Sequence, residues 1–177
     1  MIKCFIYNFR YLMRTFERTN NLNPMVYMLV GNYCLMSNSY KYALNHYSTL
    51  NKKVNSPLIN LLLSIIYTQI ASQKYSNRKQ QLVMQSIAYM ENYCKVREPE
   101  ALNEVLYNTG RLYQQVGMLT MAKTYYEQAL KVTNPIIEKN PQYLCLRREI
   151  AFNLHLIYKS SGNYAMARNY LYEYIVV

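Results

Sequence analysis

Apolar residues recur along this chain three and four positions apart, the interval that stacks side chains on one face of a helix. The series Leu106, Gly110, Tyr113, Gly117, Ala122, Tyr126, Ala129 has a near copy in Tyr27, Val30, Gly31, Asn38, Tyr40, Ala43, Tyr47, Leu50. A third runs Ala151, Leu154, Tyr158, Gly162, Tyr164, Ala167, Leu171, Tyr174. Five prolines punctuate the pattern, at Asn23-Pro24, Ser56-Pro57, Glu98-Pro99, Asn134-Pro135 and Asn140-Pro141. Proline suits the first turn of a helix and disrupts its interior, so these sites predict helix starts or linkers. Residues 1–20 predict a helix with Phe5, Phe9, Leu12, Met13 and Phe16 on one side. Helical pairs follow over 24–57, 58–98, 103–136 and 148–177, with 137–147 as a linker. The 58–98 unit starts well on Leu63, Ser64 and Tyr67, then leaves register; its second helix, about Arg78–Lys95, rests on Leu82, Val83, Ile87, Met90 and Tyr93.

The spacing matches a 34-residue helix-pair template. That template places apolar residues at positions four, seven and eleven, and a small residue at eight. A turn follows at fifteen, then Ala at twenty and an aromatic residue at twenty-four. Gly31 and Gly110 fall on position eight; Gly117 and Gly162 fall on fifteen. Gly31, Ala43, Tyr47, Gly110, Tyr113, Gly117, Ala122, Tyr126, Tyr158, Gly162 and Ala167 are the repeat-defining residues. In the last unit His155 takes the small-residue slot. The pattern resembles the tetratricopeptide repeat. It predicts an all-α, right-handed solenoid of antiparallel helix pairs, about eight or nine helices, in one array over 1–177. Residues 1–20 then read as the second helix of a preceding repeat, and the chain as the end of a longer array.

Composition sharpens this picture. The chain has 177 residues, 51% of them hydrophobic, with 21 Tyr and no Trp. Nine of those tyrosines occupy repeat-core positions, so structure accounts for much of the excess. All nine acids are Glu, and without Asp the carboxylate-dyad, two-metal and calcium-loop chemistries lose their usual ligands. The net charge is +11, and residues 1–79 hold ten Lys or Arg against Glu17 alone. Such a half suggests an acidic protein or a nucleic acid nearby.

Candidate chemistry is sparse. Cys4, Cys34, Cys94 and Cys145 are separated by 30, 60 and 51 residues, which matches no zinc or redox motif, and His46 and His155 stand apart. No phosphate loop or nucleophile elbow is present, so no catalytic, cofactor or metal site is predicted. The longest apolar run, near Leu58–Ile66, is interrupted by Asn60 and Ser64 and falls short of the ~20 residues of a bilayer span, so no membrane partner is predicted. A small-molecule substrate is not predicted either.

Two surfaces are candidates instead. The concave face of such an array would present Met28, Asn32, Leu35, Tyr107, Arg111, Gln114, Phe152 and Lys159, a lining suited to adaptable protein contact. Positions two and five, where a peptide-carboxylate clamp would need Lys, carry Met25, Glu104, Glu149, Met28, Tyr107 and Phe152, so a clamp is not expected. A basic surface would comprise Lys52, Lys53, Lys74, Arg78, Lys79, Arg147 and Arg148. No recognisable nucleic-acid motif accompanies it.

Longer strings are more specific: Leu146-Arg147-Arg148-Glu149-Ile150-Ala151-Phe152-Asn153-Leu154, Leu156-Ile157-Tyr158-Lys159-Ser160-Ser161-Gly162-Asn163, Met166-Ala167-Arg168, Ile70-Ala71-Ser72-Gln73-Lys74-Tyr75 and Leu106-Tyr107-Asn108-Thr109-Gly110-Arg111. In order and spacing they resemble the C-terminal region of the tetratricopeptide subunit, the third subunit, of general transcription factor IIIC. That resemblance implies a nuclear, non-catalytic scaffold supporting RNA polymerase III transcription initiation at transfer-RNA-type genes. It implies other factor IIIC subunits as partners, with factor IIIB components less directly, and DNA reached through the complex. The alternatives are a stand-alone peptide-binding adaptor and a basic repeat protein that touches nucleic acid directly.

Overall fold

The computed structural model describes residues 23–74, 76, 78–132 and 145–175, with Tyr11, Arg14 and Arg18 before them. Those three positions have helical backbone and exposed side chains, while Phe5, Phe9, Leu12, Met13 and Phe16 lie outside the described residues. Seven helices follow among the described residues: α1 (Pro24–Met36), α2 (Tyr40–Lys53), α3 (Pro57–Ala71), α4 (Lys79–Val116), α5 (Leu119–Lys131), α6 (Arg147–Ser160) and α7 (Tyr164–Tyr174). The count is below the expected eight or nine partly because α4 is two helices run together across a kink. Two compact units result, residues 1–93 and 94–177.

In the first unit, Pro24 stands in the opening turn of α1, where the Asn23 side chain accepts from the Met25 amide at 2.9 Å. Asn38 ends that helix in the left-handed region (φ 58°), and the Ser39 amide reaches back to the Cys34 carbonyl at 2.8 Å. The same closure recurs in the second unit. Gly117 (φ 89°) and Gly162 (φ 80°) let Met118 bond to Tyr113 and Asn163 to Tyr158. Three template turns thus share one C-terminal capping geometry, and glycine or asparagine stands where a side chain would be strained.

The core of the first unit joins α1, α2 and α3 through Val30, Ala43, Tyr47, Leu50, Leu63 and Ile66. Gly31 is required by close approach: a Cβ there would lie 2.8 Å from Cζ of Tyr47. Between α3 and α4 the contact is small and polar. Ser86 Oγ donates to the Ser64 carbonyl at 2.8 Å and lies 2.6 Å from Thr68 Oγ1. All three side chains are fully buried, so their hydroxyls satisfy one another where water cannot.

The second unit is centred on Ala122, Tyr126, Ala129, Ile150, Leu154, Ile157 and Ala167. A Cβ on Gly110 would come 2.6 Å from the Tyr126 ring, repeating the Gly31–Tyr47 relation. Tyrosine pairs also repeat: Tyr67 stacks on Tyr89, Tyr113 on Tyr125 and Tyr158 on Tyr170, with centroids 5.4–5.6 Å apart. In the three units other than 24–57, where Cys34 stands instead, template position eleven carries a ring that meets a second-helix tyrosine. This accounts for Tyr89, Tyr125 and Tyr170, which the position count leaves aside.

Pro99 lies inside α4, and the two helices run together there meet two residues later at Ala101 (φ −144°, ψ 54°). Proline lacks an amide donor and crowds the carbonyl four residues back, which favours a kink at such a junction. Arg97 spans the bend, donating to Glu100 at 2.8 Å and to Glu104 at 3.4 Å. Of the 137–147 linker, residues 137–144 lie outside the described residues, and Arg147 already belongs to α6. Pro135 and Pro141 lie outside them too.

Candidate protein-binding surface

The inner-face candidates divide by what their side chains already do. On α1, Met28 and Leu35 are half-buried against the core, and Asn32 Oδ1 accepts the Tyr47 hydroxyl. On α4, Tyr107 packs on the second core, its centroid 6.0 Å from that of Tyr126. Gln114 Oε1 accepts the Tyr126 hydroxyl at 2.6 Å, and Asn153 Nδ2 donates to the same oxygen at 3.3 Å. Burial raises the pKa of both Tyr47 and Tyr126, so each hydroxyl remains a donor. Asn32 and Gln114 therefore serve internal tyrosines. Arg111, over the Tyr107 ring at 5.7 Å, Phe152, 6.2 Å from the His155 ring, and Lys159 face solvent.

Within the first unit the basic candidates fall in two groups. Lys52 and Lys53 close α2, where cations suit the helix dipole, and the Lys53 ammonium lies 4.7 Å from the Tyr27 ring centroid. Lys74, Arg78 and Lys79 flank the turn from α3 to α4, with Arg78 at φ 58°. Because α3 starts near the end of α2, its 15 residues separate the two groups by about 22 Å. Arg147 and Arg148 are exposed in the first turn of α6, beside Glu149. The three ion pairs found among the described residues all lie in the second unit: Arg97–Glu100, Arg97–Glu104 and Lys123–Glu127.

A feature the sequence reading missed is a cleft of about 400 Å³ between α5 and α7, lined by Glu127, Leu130, Lys131, Tyr170, Glu173 and Tyr174 among others. Glu127 accepts the Tyr158 hydroxyl at 2.9 Å. Burial, with Tyr158 and Glu127 adding, pushes Tyr170 up to about 12. Tyr170 and Tyr174 at i and i+4 are the only sequence hint of this cleft, whose other wall is some forty residues away.

Burial raises the Cys34 thiol and lowers His46, whose ring lies 6.1 Å from that of Tyr27. His155 Nδ1 lies 3.0 Å from the Ala167 carbonyl and so ties α6 to α7. Among the described residues no group of three or more His, Cys, Asp or Glu could hold a metal, and no helix is long and apolar enough to cross a membrane.

Comparison with known proteins places this geometry. No family model matches the chain. It is 36% identical over 157 residues to human general transcription factor 3C polypeptide 3, covering 88% of this chain and 18% of that protein. It is 29% identical over 167 residues to transcription factor tau subunit sfc4 of Schizosaccharomyces pombe, covering 87% and 16%. Against the transcription factor tau 131 kDa subunit of Saccharomyces cerevisiae it is 23% identical over 160 residues, covering 88% and 15%. The chain thus spans less than a fifth of each relative's length. Among solved structures, a thermophilic tetratricopeptide protein of Thermus thermophilus superposes with a TM-score of 0.70 at 16% identity, covering 98% of this chain and 86% of that one. That likeness fixes the fold as all-α and of tetratricopeptide type. Along most of its length, the chain is similar to one region of the third subunit of general transcription factor IIIC, as represented by polypeptide 3 and the yeast tau subunits.

Proposed function

We propose that the chain is a non-catalytic interaction module of a transcription factor IIIC complex. It acts in the nucleus, in support of RNA polymerase III initiation at transfer-RNA-type genes. The observation that carries this reading is the 36% identity, over 157 residues, to a transcription factor subunit. The fold supports it physically. Each helix pair buries one face against its neighbours and leaves another open, so contact surface is what the architecture offers. Arg111, Phe152 and Lys159 are open in this way. The partners are other factor IIIC subunits, with factor IIIB components as a second class, and DNA is reached through them. Tagged chain incubated with nuclear extract should recover other factor IIIC subunits, identified by mass spectrometry. Recovery of none of them overturns the reading.

The cation excess of residues 1–79 favours a second reading, direct contact with nucleic acid. Its signature would be binding of purified chain to DNA or RNA with a steep salt slope. The scaffold reading expects weak binding without sequence preference.

A further inference from the structure

The first unit contains two helices with no charged residue at all: α1 over 13 residues and α3 over 15. A helix that is apolar all round is ordinarily buried, and one at the surface ordinarily turns charges outward. Neither holds here. Met25, Leu29 and Met36 on α1 are 63%, 47% and 75% exposed, and Leu58 on α3 is 46% exposed. Met25, Leu29 and Met36 are four and seven residues apart, so they line one stripe. The fold does not impose this, since the corresponding helix α6 carries Arg147, Arg148, Glu149 and Lys159. α1 and α3 both pack on α2 and share one core, and in stacked helix pairs that arrangement turns the exposed parts of the two first helices to the same side.

Two groups of cations stand near the ends of that face. Lys52 and Lys53 lie where α2 gives way to α3; Lys74, Arg78 and Lys79 lie where α3 gives way to α4. Between residues 23 and 93 the sole acid is Glu91. An occupant therefore meets apolar, methionine-rich surface along its middle and cations at both ends, about 22 Å apart. That span fits roughly fifteen helical or seven extended residues.

We infer that this uncharged face docks an apolar segment of a partner protein that carries Asp or Glu at both ends. The inference rests on the interaction-module reading and names the chemistry of one partner. Lys53 already leans over Tyr27, beside the amino end of α1, and so holds a positive charge at the mouth of the face. The surface uses Met25, Leu29, Met36 and Leu58 rather than Asn32, which is committed to Tyr47.

Selection of random 16-residue peptides displayed on phage against the whole chain tests this. Enriched sequences should carry apolar residues centrally and Asp or Glu toward each end, and their binding, read by fluorescence anisotropy, should weaken as salt rises. The double variant Leu29→Glu, Met36→Glu should bind them at least tenfold more weakly. Lys52→Glu with Lys53→Glu should weaken acidic-ended peptides and favour lysine-ended ones. Circular-dichroism melts check that the variants fold, and Met25→Glu alone serves where the double variant melts early. Failure to enrich any peptide, enrichment without acidic ends, or undiminished binding by a folded Glu variant would overturn the inference. The selection contains no transcription factor subunit, so its failure leaves complex membership standing. An empty nuclear pull-down, conversely, leaves the docking chemistry standing.

Discussion

Tyr126 shows how one side chain sets the limits for its neighbours. Its ring occupies the space a Cβ on Gly110 would need, and its hydroxyl is held by Gln114 and Asn153. Gly110→Ala should therefore lower stability by about 1–3 kcal/mol from overpacking, less up to ~1 kcal/mol of helix propensity gained. Thermal melting measures the balance, and an unchanged midpoint would mean the ring yields freely. Tyr126→Phe keeps the ring and strands two partly buried amides, which should cost about 1–2 kcal/mol. The control Tyr42→Phe, at an exposed site, should melt like the unaltered chain. At this scale the sequence is informative about backbone and less so about side-chain commitments. Gly117 and Gly162 at template position fifteen announce left-handed turns. That Asn32 and Gln114 serve buried tyrosines depends on how far a ring reaches across a helix pair, which spacing along one helix does not encode.

Among the elements, α3 and α4 are the informative pair. Ser64 on the small-residue position is legible as a close-approach site, but its partner Ser86 sits where the repeat has lost register. The contact is specified by three hydroxyls instead of a glycine and a ring, so a search for the aromatic register passes over it. Ser86→Leu should remove those hydrogen bonds and overfill the contact, costing roughly 2–4 kcal/mol by denaturant titration, whereas Ser86→Ala should cost only about 1 kcal/mol. Pro99 shows the opposite limit. Read as punctuation, it predicts a helix start or a linker; in the fold it stands two residues before a kink at Ala101 that joins two helices, with Arg97 bridging the bend. Pro99→Ala should raise the helical circular-dichroism signal.

For the molecule as a whole, the abundance of tyrosine has a titration consequence. Burial raises Tyr47, Tyr126 and Tyr170, the last to about 12. A tyrosine whose folded pKa exceeds its unfolded value near 10 keeps its proton where the unfolded chain releases it. Its contribution is present in full below pH about 10 and is lost as pH rises toward 12. Melting temperature should therefore fall over that window, with Tyr170→Phe showing a shallower decline. The fold class was open to sequence reasoning because each repeat announces itself locally; the α5–α7 cleft was not, because its walls come from distant helices. The tight fit of ring against bare backbone has a further consequence for how such chains can be recombined. In the last repeat the two slots hold His155 and Leu171, where the repeat before it holds Gly110 and Tyr126, so the first helix carries more bulk and the second less. A chimera joining the His155 helix to the Tyr126 helix would set two large groups against each other, and the reciprocal graft would leave a hole. The unit that can be shuffled, duplicated or transplanted is the helix pair, cut in the loops between pairs and never in the turn within one.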